Sequence, residues 1–184
     1  MNINLLDNAE AKQLQQLIIE AEHIVICAHK SPDGDALGSS LAWKSYLNQI
    51  GKTDVTVCMP DAYPDFLQWL PEANTVLRYD KNPEKVQETF NRADLVCCLD
   101  FNQYARVEAM RSTLEGCKAK RILIDHHLEP QTDNAITISQ PNMSSTSEMI
   151  FYIISQLGGY NDMTKDCAQC IYCGMMTDTG GFTY

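Results

Sequence analysis

The feature that most constrains the fold is the alternation of short apolar runs with longer segments whose apolar residues recur at helical spacing. Apolar runs predict strands at residues 23–28, 55–59, 75–77, 95–99 and 121–124. Helical spacing predicts helices at residues 7–22, 35–50, 83–91, 104–114, 146–157 and 165–177. Strands that alternate with helices predict an α/β fold, namely a parallel, doubly wound (Rossmann-like) sheet of about five strands with helices on both faces.

Length and composition are those of one globular domain. A chain of 184 residues can bury a real core but is short for two domains, so residues 1–184 are expected to form one domain. No apolar run is long enough to span a bilayer, which argues against a membrane partner. The first residues, MNINLLDNAEAKQ, lack the pattern of a secretory signal, and the expected location is therefore the cytoplasm.

Charge and cysteine usage limit the partners further. A net charge of −10 argues against duplex DNA, whose binding needs clustered Lys and Arg, but allows a small anionic substrate held through metal ions. Of the eight cysteines, Cys27, Cys97 and Cys98 lie inside apolar runs, and the C-x2-C-x2-C run at 167–173 shares one helix face. We expect buried free thiols rather than disulfides or an iron–sulfur site.

Ionisable side chains follow three of the predicted strands and one helix. These residues are His29, Asp33 and Asp35, then Asp100, then Asp125, His126 and His127, and finally Asp178 at the end of the last helix. Ligands of parallel sheets bind outside the carboxyl ends of the strands, so these groups are expected to meet at one site.

A mixture of carboxylates and imidazoles without cysteine suits Mn²⁺, with Mg²⁺ and Co²⁺ as alternatives. The number of candidate ligands exceeds the needs of one ion and suits two ions that share a carboxylate. Asp33 or Asp35 alone has a simpler interpretation, because acidic residues often cap the helix that follows. An EF-hand is excluded, since a loop counted from Asp33 places Leu37 and Lys44 where ligands are required.

Taken in order, His29-x3-Asp33-x-Asp35, Asp100, Asp125-His126-His127 and Thr177-Asp178-Thr179-Gly180 resemble the four motifs of the DHH phosphoesterase superfamily. The resemblance extends from about residue 20 to the last residue. The stretches HKSPDGDALGSSLA, SSTSEMI and TDTGGF are most similar to the bacterial nano-RNase and pAp-phosphatase subfamily.

The resemblance implies a division of roles among these side chains. One Mn²⁺ is held by His29, Asp33 and Asp100, and the other is held by Asp35, Asp100, His126 and Asp178. Asp100 is then a shared, catalytic ligand, and a hydroxide that bridges the two metals is the implied nucleophile.

Other residues receive less specific roles. His127 is expected to contact the substrate phosphate or to assist the leaving oxygen, and Asp125 is expected to orient a histidine. Arg106 can reach a substrate phosphate, with an exposed helical arginine as the alternative. Ser144, Ser145 and Thr146 are interpreted as caps of the helix that starts there.

By resemblance, the function is a two-metal phosphoesterase that degrades short oligonucleotides and also 3′-phosphoadenosine 5′-phosphate. The alternatives are a phosphodiesterase of cyclic dinucleotides or pApA, a RecJ-type single-strand exonuclease, and a non-catalytic nucleotide-binding relative. The expected partners are short single-stranded oligonucleotides or nucleotides, and a homodimer is left open. Relatives carry a second, C-terminal substrate-binding domain, and because this sequence ends at Tyr184 we expect a fragment without it.

Overall fold

The computed structural model describes residues 4–183, which form an α/β fold with a six-stranded sheet of parallel strands. The strands are β1 (Ile24–Cys27), β2 (Val55–Met59), β3 (Leu77–Arg78), β4 (Leu95–Leu99), β5 (Lys120–Asp125) and β6 (Ile136–Ser139). The α-helices are α1 (Asn8–Glu20), α2 (Gly34–Gln49), α3 (Pro83–Arg92), α4 (Arg111–Gly116), α5 (Thr146–Gln156) and α6 (Lys165–Asp178). Short 3₁₀ helices lie at Asp65–Leu67, Ala73–Thr75 and Tyr104–Met110.

The strand order places a reversal of chain direction at the centre of the sheet. The order is β3-β2-β1-β4-β5-β6, so the chain runs outward from β1, returns to β4 and then runs outward on the other side. β1 and β4 are neighbours, with Cys27 beside Cys98 near their carboxyl ends. This order confirms the predicted fold class, and a crevice at such a reversal is the usual ligand site of a doubly wound sheet.

The sheet has six strands rather than the predicted five or so. The additional strand, β6, was not predicted. This edge strand is four residues long and pairs only with β5, with Ile122 beside Ile136. Ile136 and Ile138 are buried and alternate with half-buried residues. Four alternating residues are too short a pattern to identify a strand without its neighbour. The strand predicted at 75–77 is also shifted, since a 3₁₀ turn precedes Leu77.

The predicted helix at 104–114 is interrupted. A 3₁₀ helix ends at Met110 after a non-helical residue, Glu108, with φ 39° and ψ −109°. The segment is tied instead to the loop after β1, where the Lys30 N–H donates to the Arg106 carbonyl at 2.9 Å. The Lys30 ammonium also contacts the Glu108 carboxylate at 2.7 Å. The spacing of apolar residues within the segment cannot predict these contacts, because they are made with a distant loop.

Two apolar cores cover the two faces of the sheet. One core lies between the sheet and α1, α2, α5 and α6, and the other lies between the sheet and α3 and α4. All eight cysteines are buried free thiols, as predicted. Within the range 4–183, no helix combines the length and the apolar character needed to cross a membrane.

Helices α2 and α6 approach each other closely near the carboxyl edge of the sheet. A Cβ atom on Gly34 would lie 2.4 Å from the Thr177 hydroxyl oxygen, so glycine is required by the space at the start of α2. The close approach brings the end of α6, with Asp178, beside the start of α2, with Asp35. The packing of two helices thus brings together residues that are far apart in sequence.

Candidate metal centre

His29 is the first ionisable side chain beyond β1 and is buried. Its Nδ1 lies 2.7 Å from the Lys30 carbonyl oxygen, which accepts the Nδ1–H and leaves Nε2 directed at the carboxylates. Nε2 lies 3.4 Å from Asp100 Oδ2 and 3.8 Å from Asp33 Oδ2. Burial opposes the charged imidazole, but the hydrogen bond and charge of Asp100 raise the pKa of His29 overall.

Asp33 combines the two interpretations that its sequence position allowed. Its Oδ1 accepts the backbone N–H groups of Asp35 and Ala36 at 2.9 and 3.0 Å and therefore caps α2. Its Oδ2 faces His29 and takes no part in the cap. One oxygen thus starts the helix while the other is free to bind an ion.

Asp35 is fully buried and is held by the start of α5. Its Oδ2 accepts the Thr146 N–H at 2.7 Å, and its Oδ1 accepts the Ser147 N–H at 2.8 Å. Burial raises the pKa of Asp35 well above its ordinary value, and the nearby Asp100 carboxylate raises it further. A cation bound to Asp35 would stabilise the carboxylate and so oppose this rise in pKa.

Asp100 lies at the centre of the cluster, directly after β4. Its backbone is in the left-handed region, with φ 61°, and its N–H donates to the Ile124 carbonyl at 3.1 Å. Its Oδ2 faces His29, and its Oδ1 lies 3.6 Å from His126 Nε2. Burial opposes ionisation, but hydrogen bonding and charge from His29 lower the pKa of Asp100 overall.

Asp125, the last residue of β5, is followed by two histidines that have different partners. His126 Nε2 lies 3.3 Å from Asp178 Oδ2 and belongs to the cluster. Asp125 is buried and holds His127, because its Oδ1 accepts the Nδ1–H at 2.7 Å and its Oδ2 accepts the backbone N–H at 2.9 Å. The hydrogen bond from Asp125 raises the pKa of His127. Burial and the charge of Asp100 raise the pKa of Asp178.

The predicted residues converge in three overlapping groups, in each of which the ligand atoms lie within 4.8 Å of one another. The groups are His29–Asp33–Asp100, Asp35–His126–Asp178 and Asp100–His126–His127. In the described part of the chain, Asp35, Asp100 and Asp178 form no ion pair with Lys or Arg. Asp35 and Asp100 are buried and Asp178 is half-buried, and imidazoles are the only cationic groups among the described residues that face them, so this donor set fits divalent cations. Its mixture of oxygen and imidazole ligands suits Mn²⁺.

Comparison with known proteins identifies the family of this chain. A model of the DHH family, N-terminal domain, matches residues 23–175, which is most of the chain. The chain belongs to the DHH family. The matched range contains every predicted ligand except Asp178, which lies three residues beyond its end.

Relatives of this DHH chain are longer than it is. The bifunctional oligoribonuclease and PAP phosphatase NrnA of Thermus thermophilus is 32% identical over 161 residues, which cover 88% of this chain and 44% of that protein. The crystal structure of an exopolyphosphatase-related protein from Bacteroides fragilis is 43% identical with a TM-score of 0.96, over 99% of this chain and 53% of that chain. The chain therefore spans about half the length of these relatives.

A more distant structure shares the fold of the DHH chain. RecJ from Thermus thermophilus, crystallised in complex with Mn²⁺, has a TM-score of 0.55 at 16% identity. The match covers 92% of this chain and 23% of that chain. At this identity the likeness shows a common fold.

Arg106 of the DHH chain is exposed and lines a cavity of about 560 Å³, together with residues that follow His29 and Asp100 in the sequence. The cavity is lined by Lys30, Ser31, Asn102, Gln103, Arg106 and Glu108, among others. Within residues 4–183, the Arg106 guanidinium makes no ion pair, whereas Lys30 is paired with Glu108. Of the two cations that line this cavity, Arg106 is thus the one without an ion pair among the described residues.

Thr146 is the residue of the DHH site that sequence reasoning missed. Ser145 does cap α5, since its hydroxyl accepts the Glu148 N–H at 3.0 Å. The Thr146 hydroxyl instead donates to Asp100 Oδ1 at 3.0 Å. A Ser-Ser-Thr run before an apolar helix is fully explained as a cap, so no signal in the sequence separated Thr146 from its neighbours.

Proposed function

We propose that residues 1–184 form the DHH catalytic domain of a divalent-metal-dependent phosphoesterase. Its proposed substrates are short single-stranded oligonucleotides, which it cleaves to 5′-mononucleotides, and 3′-phosphoadenosine 5′-phosphate. The observation that carries the proposal is the position of Asp100, whose two oxygens face His29 on one side and His126 on the other. The name of the Thermus relative supports the substrate class.

Two Mn²⁺ ions are the proposed cofactors, with Mg²⁺ and Co²⁺ as alternatives. When bound, two such ions activate a water nucleophile and offset the charge that develops on the phosphoryl oxygens. We assign His29 and Asp33 to one ion and Asp35, His126 and Asp178 to the other, with Asp100 common to both. The convergence of these side chains from separate strands and helices supports the assignment.

His127 is proposed to act on the substrate. Asp125 accepts its Nδ1–H, so this carboxylate sets the ring orientation and leaves Nε2 free to face the reacting phosphate. Because the same contact raises the pKa of His127, the ring more readily carries a second proton. Such a ring can donate a hydrogen bond to a phosphoryl oxygen or a proton to the leaving oxygen.

Arg106 is proposed to bind a further phosphate of the substrate. Its planar guanidinium can donate two hydrogen bonds to one phosphate, and the cavity beside it has room for part of a nucleotide. Oligonucleotides and 3′-phosphoadenosine 5′-phosphate both carry a phosphate besides the one that is attacked. A cation that makes no ion pair within the described residues therefore supports substrates with a second phosphate over phosphate esters with only one.

The proposal is tested by steady-state hydrolysis with metal-stripped protein to which Mn²⁺ is returned. The substrates are a 5′-phosphorylated diadenylate, 3′-phosphoadenosine 5′-phosphate, cyclic-di-AMP and pyrophosphate, and products are separated by chromatography. We expect the first two to be hydrolysed fastest.

Asp162→Asn is the matched control, since Asp162 is exposed and belongs to none of the three groups of ligand atoms. Faster hydrolysis of cyclic-di-AMP would replace the substrate class and leave the metal chemistry in place. Binding of Mn²⁺ and nucleotide without hydrolysis of any of the four compounds would identify a non-catalytic binding domain instead.

A further inference from the structure

Thr146, at the first position of α5, is a fully buried residue whose side chain contacts a predicted metal ligand. Its hydroxyl donates a hydrogen bond of 3.0 Å to Asp100 Oδ1. The capping of α5 is performed by Ser145, which accepts the Glu148 N–H. The Thr146 hydroxyl is therefore not needed to begin the helix, and its hydrogen bond serves Asp100.

The same turn of α5 also holds Asp35. The consecutive N–H groups of Thr146 and Ser147 donate to the two oxygens of Asp35 at 2.7 and 2.8 Å. These N–H groups lie at the positive end of the helix dipole, where a carboxylate is favoured. One helical turn thus contacts Asp35 and Asp100 at once, and it fixes how the two carboxylates are oriented relative to each other.

We propose that Thr146 is a positioning residue of the metal centre, whose hydroxyl holds the Asp100 carboxylate in the orientation that both ions require. The inference rests on the proposed function, in which Asp100 is common to the two ions. A carboxylate turns easily about its Cβ–Cγ bond, and a turn displaces both oxygens together. For a ligand with one oxygen on each side of the centre, a turn disturbs both sides, so the hydrogen bond has more effect here than on a ligand of one ion.

The test is Mn²⁺ binding to metal-stripped protein, measured by isothermal titration calorimetry and by electron paramagnetic resonance of the bound Mn²⁺. Thr146→Val keeps the shape of the side chain and removes the hydroxyl, whereas Thr146→Ser keeps the hydroxyl. We expect Thr146→Val to weaken Mn²⁺ binding about 10–100-fold, the usual effect of losing a hydrogen-bond partner of a metal ligand. We also expect it to lose the magnetic coupling between neighbouring Mn²⁺ ions, and Thr146→Ser to retain both properties.

Ser144→Ala is the matched control, because it removes an exposed hydroxyl at the same end of α5 that bonds Glu148 at 2.7 Å. It should bind Mn²⁺ as the wild type does. If Thr146→Val does not fold, Thr146→Ala provides a second variant without the hydroxyl.

Two results would overturn the positioning role while leaving the proposed function intact. The first is a folded Thr146→Val protein with wild-type Mn²⁺ affinity and spectrum. The second is equal weakening in Thr146→Ser and Thr146→Val, which would assign the effect to the packing of this side chain rather than to its hydroxyl, because serine retains the hydroxyl. A wild-type protein that binds no Mn²⁺ would instead contradict the proposed function, and the positioning role with it.

Discussion

At the scale of single residues, Asp100 combines features that rarely occur together. It is buried, its backbone is in the left-handed region, and its two oxygens face different histidines. Asp and Asn tolerate a positive φ better than other residues with side chains, so the residue type satisfies the backbone as well as the site.

Asp100→Asn should therefore weaken Mn²⁺ binding and abolish hydrolysis while the protein still folds. Asparagine keeps the shape and tolerates the φ of 61°, but it removes the charge that two cations would share. We expect Mn²⁺ affinity to fall at least about 100-fold, the upper range for residues that only support a ligand, and hydrolysis to be lost. Calorimetry and circular dichroism measure the two effects, and turnover at the wild-type rate would rule out a shared ligand.

Asp125→Asn should lower the pKa of His127. The Asp125 carboxylate stabilises the protonated ring through a hydrogen bond of 2.7 Å and thereby raises the pKa of His127. A neutral amide gives less stabilisation to the cation, so the pKa of His127 should fall. NMR titration of the imidazole resonances in metal-free protein measures the change, and an unchanged titration would show that Asp125 serves the fold alone.

At the scale of secondary-structure elements, the site depends on how closely α6 approaches α2 and α5. A Cβ atom on Gly174 in α6 would lie 1.9 Å from Ser147 Oγ and 2.8 Å from Asp35 Oδ1. Both neighbours are fully buried, so neither can move away without disturbing the start of α5. Glycine at this position is required by space rather than by backbone conformation.

Gly174→Ala should accordingly weaken both the fold and the metal centre. Alanine favours a helix by about 1 kcal/mol over glycine, but overpacking a buried contact costs about 1–3 kcal/mol. We expect a net loss of stability in urea unfolding and weaker Mn²⁺ binding, because Asp35 is displaced. Gly116→Ala is the control, since a Cβ there meets nothing within 4 Å. Equal stability and Mn²⁺ affinity in the two variants would contradict the close contact.

Asp94 links the start of β1 to the start of β4 and predicts a pH-dependent effect. Its Oδ2 accepts the N–H groups of His23 and Glu22, each at 2.9 Å, and these bonds lower the pKa of Asp94. A carboxyl whose pKa is lower in the folded protein stabilises it above the unfolded pKa, and this stabilisation is lost as the pH falls through the folded pKa.

Asp94→Asn should therefore lower stability at neutral pH, by less than about 1 kcal/mol because the carboxylate is exposed. The difference from the wild type should shrink below the ordinary pKa of 3.8. Urea unfolding at a series of pH values measures it. A difference that is constant with pH would show that the charge of Asp94 does not contribute.

At the scale of the whole molecule, metal ions should stabilise the fold because their ligands come from both halves of the sheet. His29 follows β1, Asp100 follows β4, His126 follows β5, and Asp178 ends α6. Mn²⁺ at 100 times its dissociation constant should add about 2.7 kcal/mol per site to the free energy of unfolding. Thermal unfolding with Mn²⁺ and after chelation measures the shift, and an unchanged Tm would contradict a divalent-metal site in these residues.

The amino-acid sequence was sufficient to predict the fold class and the members of the cluster. Strand and helix patterns are local, and carboxyl ends of parallel strands share one edge, so polar residues that follow the strands were expected to meet. Asp33 illustrates the limit of this reasoning, because its cap and its second, free oxygen were treated as alternatives and coexist in the structure.

Only the tertiary structure decided which contacts support the cluster. Thr146 reaches Asp100 across 46 residues of sequence and Asp35 across 111, because α5 packs beside α2 at the carboxyl edge of the sheet. Strand β6 and the break at Glu108 likewise depend on partners remote in the chain. The sequence determined which groups lie at the strand ends since periodicity is a local property, whereas hydrogen bonds between separate elements exist only after those elements pack.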